Sequence, residues 1–296
     1  GSQRLWNVTS WDNLKAKYID NPYWASYTSY SDENRDRVYG NAGVEWNIAK
    51  GLKATAKVHG DVYTYSVEDR IAVYSRTTSM YSEKVQRFQE FNYEAMLHYN
   101  TALKNFTLNA FIGTNLMHQR RNINNGETQG GLIIPEYYNL SNATSVLTTD
   151  KTYRKEIRSL LGNVSLGWKS MLFADATFRN DWSSTLPANE NSYFYPSFSG
   201  SFIFTELEPV KAVSWLNFGK VRLGWAQVGN DTDPYSLSRT YEYKNSSFGG
   251  VPNYGLDIIL NNAHLKPELT NSVEAGIELK LLNNRVGLDL TYYNNL

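Results

Sequence analysis

The sequence predicts an all-β fold, an antiparallel barrel wall that spans a membrane. Three observations predict it. Apolar and polar residues alternate in one segment after another, the connections between segments are alternately very short and very long, and Tyr and Trp are abundant. A period of two sends successive side chains to opposite faces of a strand. From Leu52 the even positions read Leu52, Ala54, Ala56, Val58, Gly60, Val62, and the odd ones Lys53, Thr55, Lys57, His59, Asp61. One face avoids water and the other carries charge. Short turns at one end and long loops at the other are how an outer-membrane barrel is written, with turns toward the periplasm and loops outside. The 22 Tyr and 8 Trp suit boundaries that are apolar on one side and wet on the other. Taken alone, that composition fits an aromatic-rich soluble β-sandwich or lectin equally well.

Residues 1–35 show no clean period and are expected to be an extracellular loop region, with the barrel segment of about ten strands covering 36–296. A first strand near 37–49 places Val38, Gly40, Ala42, Val44, Trp46 and Ile48 on one face. The tight turn Ala49-Lys50-Gly51 returns it antiparallel into the Leu52 strand. A polar excursion over about 67–85 leads to Tyr93, Ala95, Leu97 and Tyr99, and a short connection over 101–105 to Phe106, Leu108, Ala110, Ile112 and Leu116. The long polar segment 118–155 is expected to be loop. The cycle then repeats with Leu160, Gly162, Val164, Leu166 and Trp168, a turn at Lys169-Ser170, and Leu172, Ala174, Ala176 and Phe178. After a loop over about 181–196 come Phe198, Gly200, Phe202 and Phe204. Segment 205–219 is too long for a hairpin turn and is expected to carry a short helix on the turn side. Val221, Leu223 and Trp225 resume the wall before the longest loop, about 230–271. Val273, Ala275, Ile277 and Leu279 then pair across Leu282-Asn283-Asn284 with Val286, Leu288, Leu290 and Tyr292. Trp46, Trp168 and Tyr99 fall next to short turns on the apolar face, where an interfacial aromatic girdle belongs.

Composition narrows the function. With 29 basic and 29 acidic residues the chain has no cationic excess to neutralise phosphates, so a nucleic-acid partner is not expected. The lack of cysteine removes disulfide scaffolds and thiolate metal sites, and suits a chain that crosses an oxidising periplasm unfolded. No apolar run reaches the roughly 18 residues of a spanning helix. His59, His98, His118 and His264 are dispersed without ligand spacing, and no phosphate loop or nucleophile elbow occurs. Neither a metal, a cofactor nor catalysis is expected.

Several linked segments resemble one family. Asn21-Pro22-Tyr23-Trp24 precedes the strands. Arg179-Asn180-Asp181-Trp182-Ser183-Ser184-Thr185-Leu186 is followed by Tyr193-Phe194-Tyr195-Pro196-Ser197. Lys220-Val221-Arg222-Leu223-Gly224-Trp225 leads to Val228-Gly229-Asn230-Asp231 and Pro234-Tyr235, and Leu265-Lys266-Pro267-Glu268-Leu269-Thr270 to Glu274-Ala275-Gly276-Ile277-Glu278-Leu279. In this order and spacing, from about residue 21 onward, they resemble the SusC/RagA family of TonB-dependent outer-membrane transporters of Bacteroidetes. The resemblance implies a barrel of about 22 strands around an N-terminal plug. It also implies a SusD-like surface lipoprotein lid, energy supplied through TonB, and oligosaccharide or peptide substrates. The chain shows neither plug nor full strand count, so it is expected to be a central barrel fragment that works with the remainder of the transporter. The alternatives are a passive outer-membrane porin and a soluble carbohydrate-binding β-protein.

Two residue groups are singled out. Arg179, Asp181, Ser183 and Ser184, with Tyr193 and Tyr195, are expected to anchor a loop by hydrogen bonds at the extracellular end of a strand. Tyr137, Tyr138, Tyr241, Tyr243, Asn253 and Tyr254 are loop aromatics and amides, of the kind that hold sugar rings and peptide backbones.

Overall fold

In a computed structural model, which describes residues 9–13, 15–248, 251–256 and 258–296, the alternating segments pair in sequence order as one antiparallel meander. A short helix α1 (Pro22–Thr28), capped by the Asn21 side chain accepting from Tyr23 N, precedes the sheet. The strands are β1 (Ser31–Ala49), β2 (Leu52–Ile71), β3 (Met80–Leu103), β4 (Phe106–Gln129), β5 (Ser145–Trp168), β6 (Leu172–Ser183) and β7 (Ser192–Ile203). A 3₁₀ turn (Phe204–Glu206) and α2 (Glu208–Lys211) connect to β8 (Leu216–Asn230). The hairpin β9 (Tyr241–Phe248) and β10 (Val251–Leu256) stands apart as its own two-stranded sheet, and β11 (Glu268–Leu281) and β12 (Val286–Asn295) complete the ten-stranded one. The edges of that sheet are β1 and β12.

The short turns have the backbone that tight hairpins require. Lys169 and Ser170 are both left-handed (φ 50° and 54°), the two central residues of a primed turn that Met171 N closes onto Trp168 O at 2.9 Å. Gly51 sits at φ 78°, and a Cβ there would lie 2.2 Å from Asn100 O, so only glycine fits where the β1–β2 turn meets β3.

Exposure is inverted relative to a water-soluble sheet. Along β3, Phe91, Tyr93, Ala95, Leu97 and Tyr99 are exposed, whereas Glu90, Asn92, Glu94, Met96 and His98 between them are half-buried. The same holds for Trp46 (68% exposed), Val58 (42%), Ile112 (50%) and Val164 (44%), while polar Thr55, Ser159 and Asp181 are buried. The sheltered face is therefore the polar one, and the apolar face points outward. Only lipid makes that arrangement stable, because a contiguous apolar surface of this size in water is a strong liability.

The strands are longer than the alternation alone indicates. Residues 118–129 and 145–155, expected to be loop, are the upper halves of β4 and β5, which narrows that loop to 130–144. Likewise the excursion over 67–85 shrinks to 72–79, and β7 begins at Ser192 inside the expected 181–196 loop. Residues 1–35 include α1 and the start of β1. The reason is physical. At about 3.3 Å per residue a 24-residue strand far exceeds the bilayer core of about 30 Å, even when tilted. Above the lipid both faces meet polar surroundings, so the ladder continues while the alternation fades. The segment 205–219 does hold the expected short helical turn, and Phe204 belongs to it rather than to the strand.

There Phe204 covers Gly219 of β8, whose N–H donates to Thr205 Oγ1 at 3.1 Å. A Cβ on Gly219 would lie 2.2 Å from the Phe204 ring. Gly219→Val is expected to destabilise the folded barrel by about 1–3 kcal/mol, the cost of overpacking a tight contact. Denaturant titration of the full-length protein in detergent measures it, and an unshifted midpoint contradicts this packing.

Candidate functional site

The sheltered face carries the polar chemistry. On β1 and β2 Arg37 makes a two-pronged ion pair with Asp61, both contacts 2.7 Å. The Arg35 guanidinium lies 5.0 Å from the Tyr63 ring and 4.9 Å from that of Tyr65, and Tyr63 stacks on Phe88 at 4.8 Å. Next along the sheet, Asn92 Nδ2 and Gln119 Nε2 donate to the two oxygens of Glu90 at 3.0 and 2.9 Å, and Asn115 donates to Asn92 at 3.1 Å. Arg121 covers Tyr153 at 4.6 Å, and Tyr153 in turn faces Tyr235 of the loop after β8. Near β12, Arg222 donates to Asp289 at 2.8 Å and to Thr291 at 2.5 Å. This wall presents planar rings, amides and charges of both signs to whatever lies alongside it.

A denser cluster lies where β5, β6 and β7 reach the loop end. Arg179 Nε donates to Asp181 Oδ1 at 2.8 Å and its Nη2 to Ser159 Oγ at 2.9 Å. Tyr195 donates its hydroxyl to the other Asp181 oxygen, and its ring stacks on Tyr193 at 5.7 Å. Gly229 lies beneath this pair; a Cβ there would sit 2.6 Å from the Tyr193 ring. Asp231, the residue following β8, accepts from Lys155 Nζ at 2.5 Å, from Ser183 Oγ at 2.5 Å and from Thr185 Oγ1 at 3.1 Å. The Asp231 side chain is 4% exposed and that of Lys155 18%, so this ion pair is largely desolvated. Ser184 Oγ accepts from Glu156 N at 2.9 Å. The sequence-predicted residues thus fall into separate sets: Arg179, Asp181, Tyr193 and Tyr195 join with Ser159, Ser183 joins Asp231 with Lys155 and Thr185, and Ser184 bonds the backbone of Glu156. Lys155, Ser159, Thr185 and Asp231 are the members that sequence reasoning missed. Asp231 stood in a quoted motif, but nothing local says which distant lysine meets it.

The six loop residues are not brought to one place by the hydrogen bonds. Tyr137 is exposed, whereas Tyr138 is half-buried, donating its hydroxyl to Thr28 O at 3.0 Å beneath the Arg70 guanidinium. Burial raises the Tyr138 hydroxyl above the ordinary phenol range, so it stays a donor. Tyr241 and Tyr254 are exposed on the β9–β10 hairpin, and Asn253 is half-buried there. Tyr243 pairs with Tyr254 in that hairpin; its side chain lies outside the described residues. Among the described residues no group of three or more His, Asp or Glu could hold a metal ion.

Residues 2–296 match the family described as TonB dependent receptor-like, beta-barrel. Two proteins of Formosa agariphila are similar in sequence. TonB-dependent receptor P26 is 27% identical over 162 residues, covering 53% of this chain and 16% of that protein. TonB-dependent receptor P3 is 22% identical over 299 residues, covering 93% and 28%. Among solved structures, the RagAB peptide transporter superposes with a TM-score of 0.79 at 17% identity, over 97% of this chain and 32% of that one. The ferric preacinetobactin receptor BauA of Acinetobacter baumannii does so with a TM-score of 0.51 at 12% identity, over 90% and 38%. At these identities the structural likeness speaks for the fold. The chain spans less than half the length of each of these relatives.

Proposed function

Since the chain belongs to the TonB-dependent receptor β-barrel family of the bacterial outer membrane, we propose that it forms part of the wall of an energised importer for peptides or oligosaccharides. In this reading a SusD-like surface lipoprotein closes over the loops, and TonB acts through a plug belonging to the remainder of the transporter. The observation that carries it is the inverted exposure. An apolar outer face needs lipid, and a sheltered polar face needs a wet lumen. The edges β1 and β12 call for further strands in the bilayer, where unpaired backbone groups are intolerable. A peptide is the favoured solute. The lumen wall pairs carboxylates with guanidiniums and amides (Arg37 with Asp61, Gln119 with Glu90, Arg222 with Asp289), groups that also meet peptide termini and backbone. The RagAB structures, from a peptide transporter, share the fold.

Uptake by cells carrying or lacking the full-length gene tests this, using a fluorescent oligopeptide and a fluorescent oligosaccharide in parallel. Loss of peptide uptake on deletion, and equal loss on removing TonB, is expected. Uptake that survives without TonB identifies a passive pore instead, and loss of the sugar alone reverses the preference for peptide.

A further inference from the structure

On the outward face the apolar belt gives way to a row of cations at the loop end of three adjacent strands. Strand alternation places Tyr93, Phe91, Gln89 and Arg87 of β3 outward, beside Leu116, His118, Arg120 and Asn122 of β4 and Arg158, Glu156, Arg154 and Thr152 of β5. Arg87, Arg120, Arg154 and Arg158 are all exposed. On the sheltered face Arg37 pairs with Asp61 and Lys155 with Asp231. On β3, β4 and β5 Glu156 is the one outward carboxylate in these four rows, and it is taken by Arg158 at 2.8 Å and His118 at 3.4 Å. Arg120 and Arg154 stand directly opposite each other in the ladder, where like charges repel. Arg120 Nε reaches the Asn122 amide oxygen at 2.9 Å and Arg87 Nη1 that of Asn124 at 3.4 Å. Among the described residues none of Arg87, Arg120 and Arg154 has a carboxylate within ion-pair range. Arg120 and Arg154 border a hollow that Gln89, Phe91, His118 and Glu156 also line and that reaches Lys155 and Tyr235.

We propose that Arg87, Arg120 and Arg154 dock the phosphate of a lipid headgroup in the outer leaflet. The inference rests on the reading that this face meets lipid. A phosphate between Arg120 and Arg154 turns their repulsion into two charge-assisted contacts, for which the planar guanidinium fork is well shaped. The bilayer, rather than free solution, is the source, because the row continues the apolar belt. Phe91 and Tyr93 of β3 and Leu116 of β4 lie membraneward of the cations, beyond Gln89 and His118, where the acyl chains of the same molecule would run. Such lipids would form a collar fixed beside β3–β5, and the upper, loop-bearing halves of these strands would then stand clear of the headgroups.

The test uses the full-length transporter in detergent, titrated with dihexanoyl phosphatidic acid, with dihexanoyl glycerol and, separately, with inorganic phosphate. Phosphatidate is expected to bind, and Arg120→Gln with Arg154→Gln, which removes both charge-assisted contacts, to weaken it by at least about tenfold, the value of one such bond alone. Arg158→Gln, whose charge Glu156 already occupies, is expected to change little. Arg154→Gln alone, which removes no side-chain partner, gives the same direction should the double variant fail to assemble. Unchanged affinity in these variants, equal binding of the glycerol, or inorganic phosphate binding as tightly as the lipid overturns the proposal. Uptake plays no part in this assay, so an error about the solute leaves its result intact, whereas a protein that stays in solution without detergent refutes the lipid-facing reading itself.

Discussion

Val164→Arg is expected to remove the folded protein from the outer membrane, while Ser165→Arg, one residue along the same strand, is expected to leave it assembled. Val164 is 44% exposed on the outward face and is flanked across the ladder by Ala110 and Ala176. An arginine there faces hydrocarbon and costs about 2–4 kcal/mol at the bilayer midplane. That is a large share of a marginal net stability. Ser165 faces the other way, directly opposite Asp175 on β6, so a cation at that position gains a carboxylate neighbour. Heat-modifiable electrophoretic mobility and abundance in the outer-membrane fraction read the outcome. If Ser165→Arg is the more damaging of the two, the assignment of faces is reversed and the transport reading fails with it.

The second large effect is expected at Asp231. Asp231→Ala leaves the Lys155 ammonium largely desolvated without a counter-charge, and deprives Ser183 and Thr185 of their acceptor. Breaking a buried pair from one side costs about 3–5 kcal/mol. The wall itself has other support, since β5, β6 and β8 keep their ladders. The cost therefore falls on the attachment of the segment that follows β8. Limited proteolysis of the intact barrel is expected to show new cleavage within 231–267 at unchanged barrel mobility. Combining Asp231→Leu with Lys155→Met removes both charges and is expected to restore much of the protection. Cleavage that does not change in Asp231→Ala means the loop is held by other contacts.

These two experiments mark how far the sequence could be read. Alternation alone identified the outward set that contains Val58, Ile112 and Val164, because in lipid the periodicity of hydrophobicity is the folding signal itself. The same logic located the short turns and the helical segment near Glu208–Lys211. It stopped where the lipid stops. Residues 118–129 and 145–155 lack a pattern because both of their faces are polar, and only the neighbouring strand's hydrogen bonds make them strand.

The polar cluster was partly visible, since Arg179, Asp181 and Ser183 alternate along one strand and Asp181 meets Tyr195 across a hairpin. Its deepest member was not visible. Lys155 meets Asp231 across 76 residues, and β6 and β7 lie between their strands in the sheet, so no local spacing announces the pair. The same holds for Arg120 and Arg154, which in the sequence sit in an unremarkable polar stretch and become a charged pair only through register.

By itself, then, the chain determined which side of each ribbon greets lipid and how consecutive ribbons join, since both depend on neighbours in sequence. Tertiary structure decided which charges meet, which stay unmatched and how high the ribbons climb. Those outcomes depend on partners far along the chain, whose alignment is set by cross-strand hydrogen bonding rather than by any local preference.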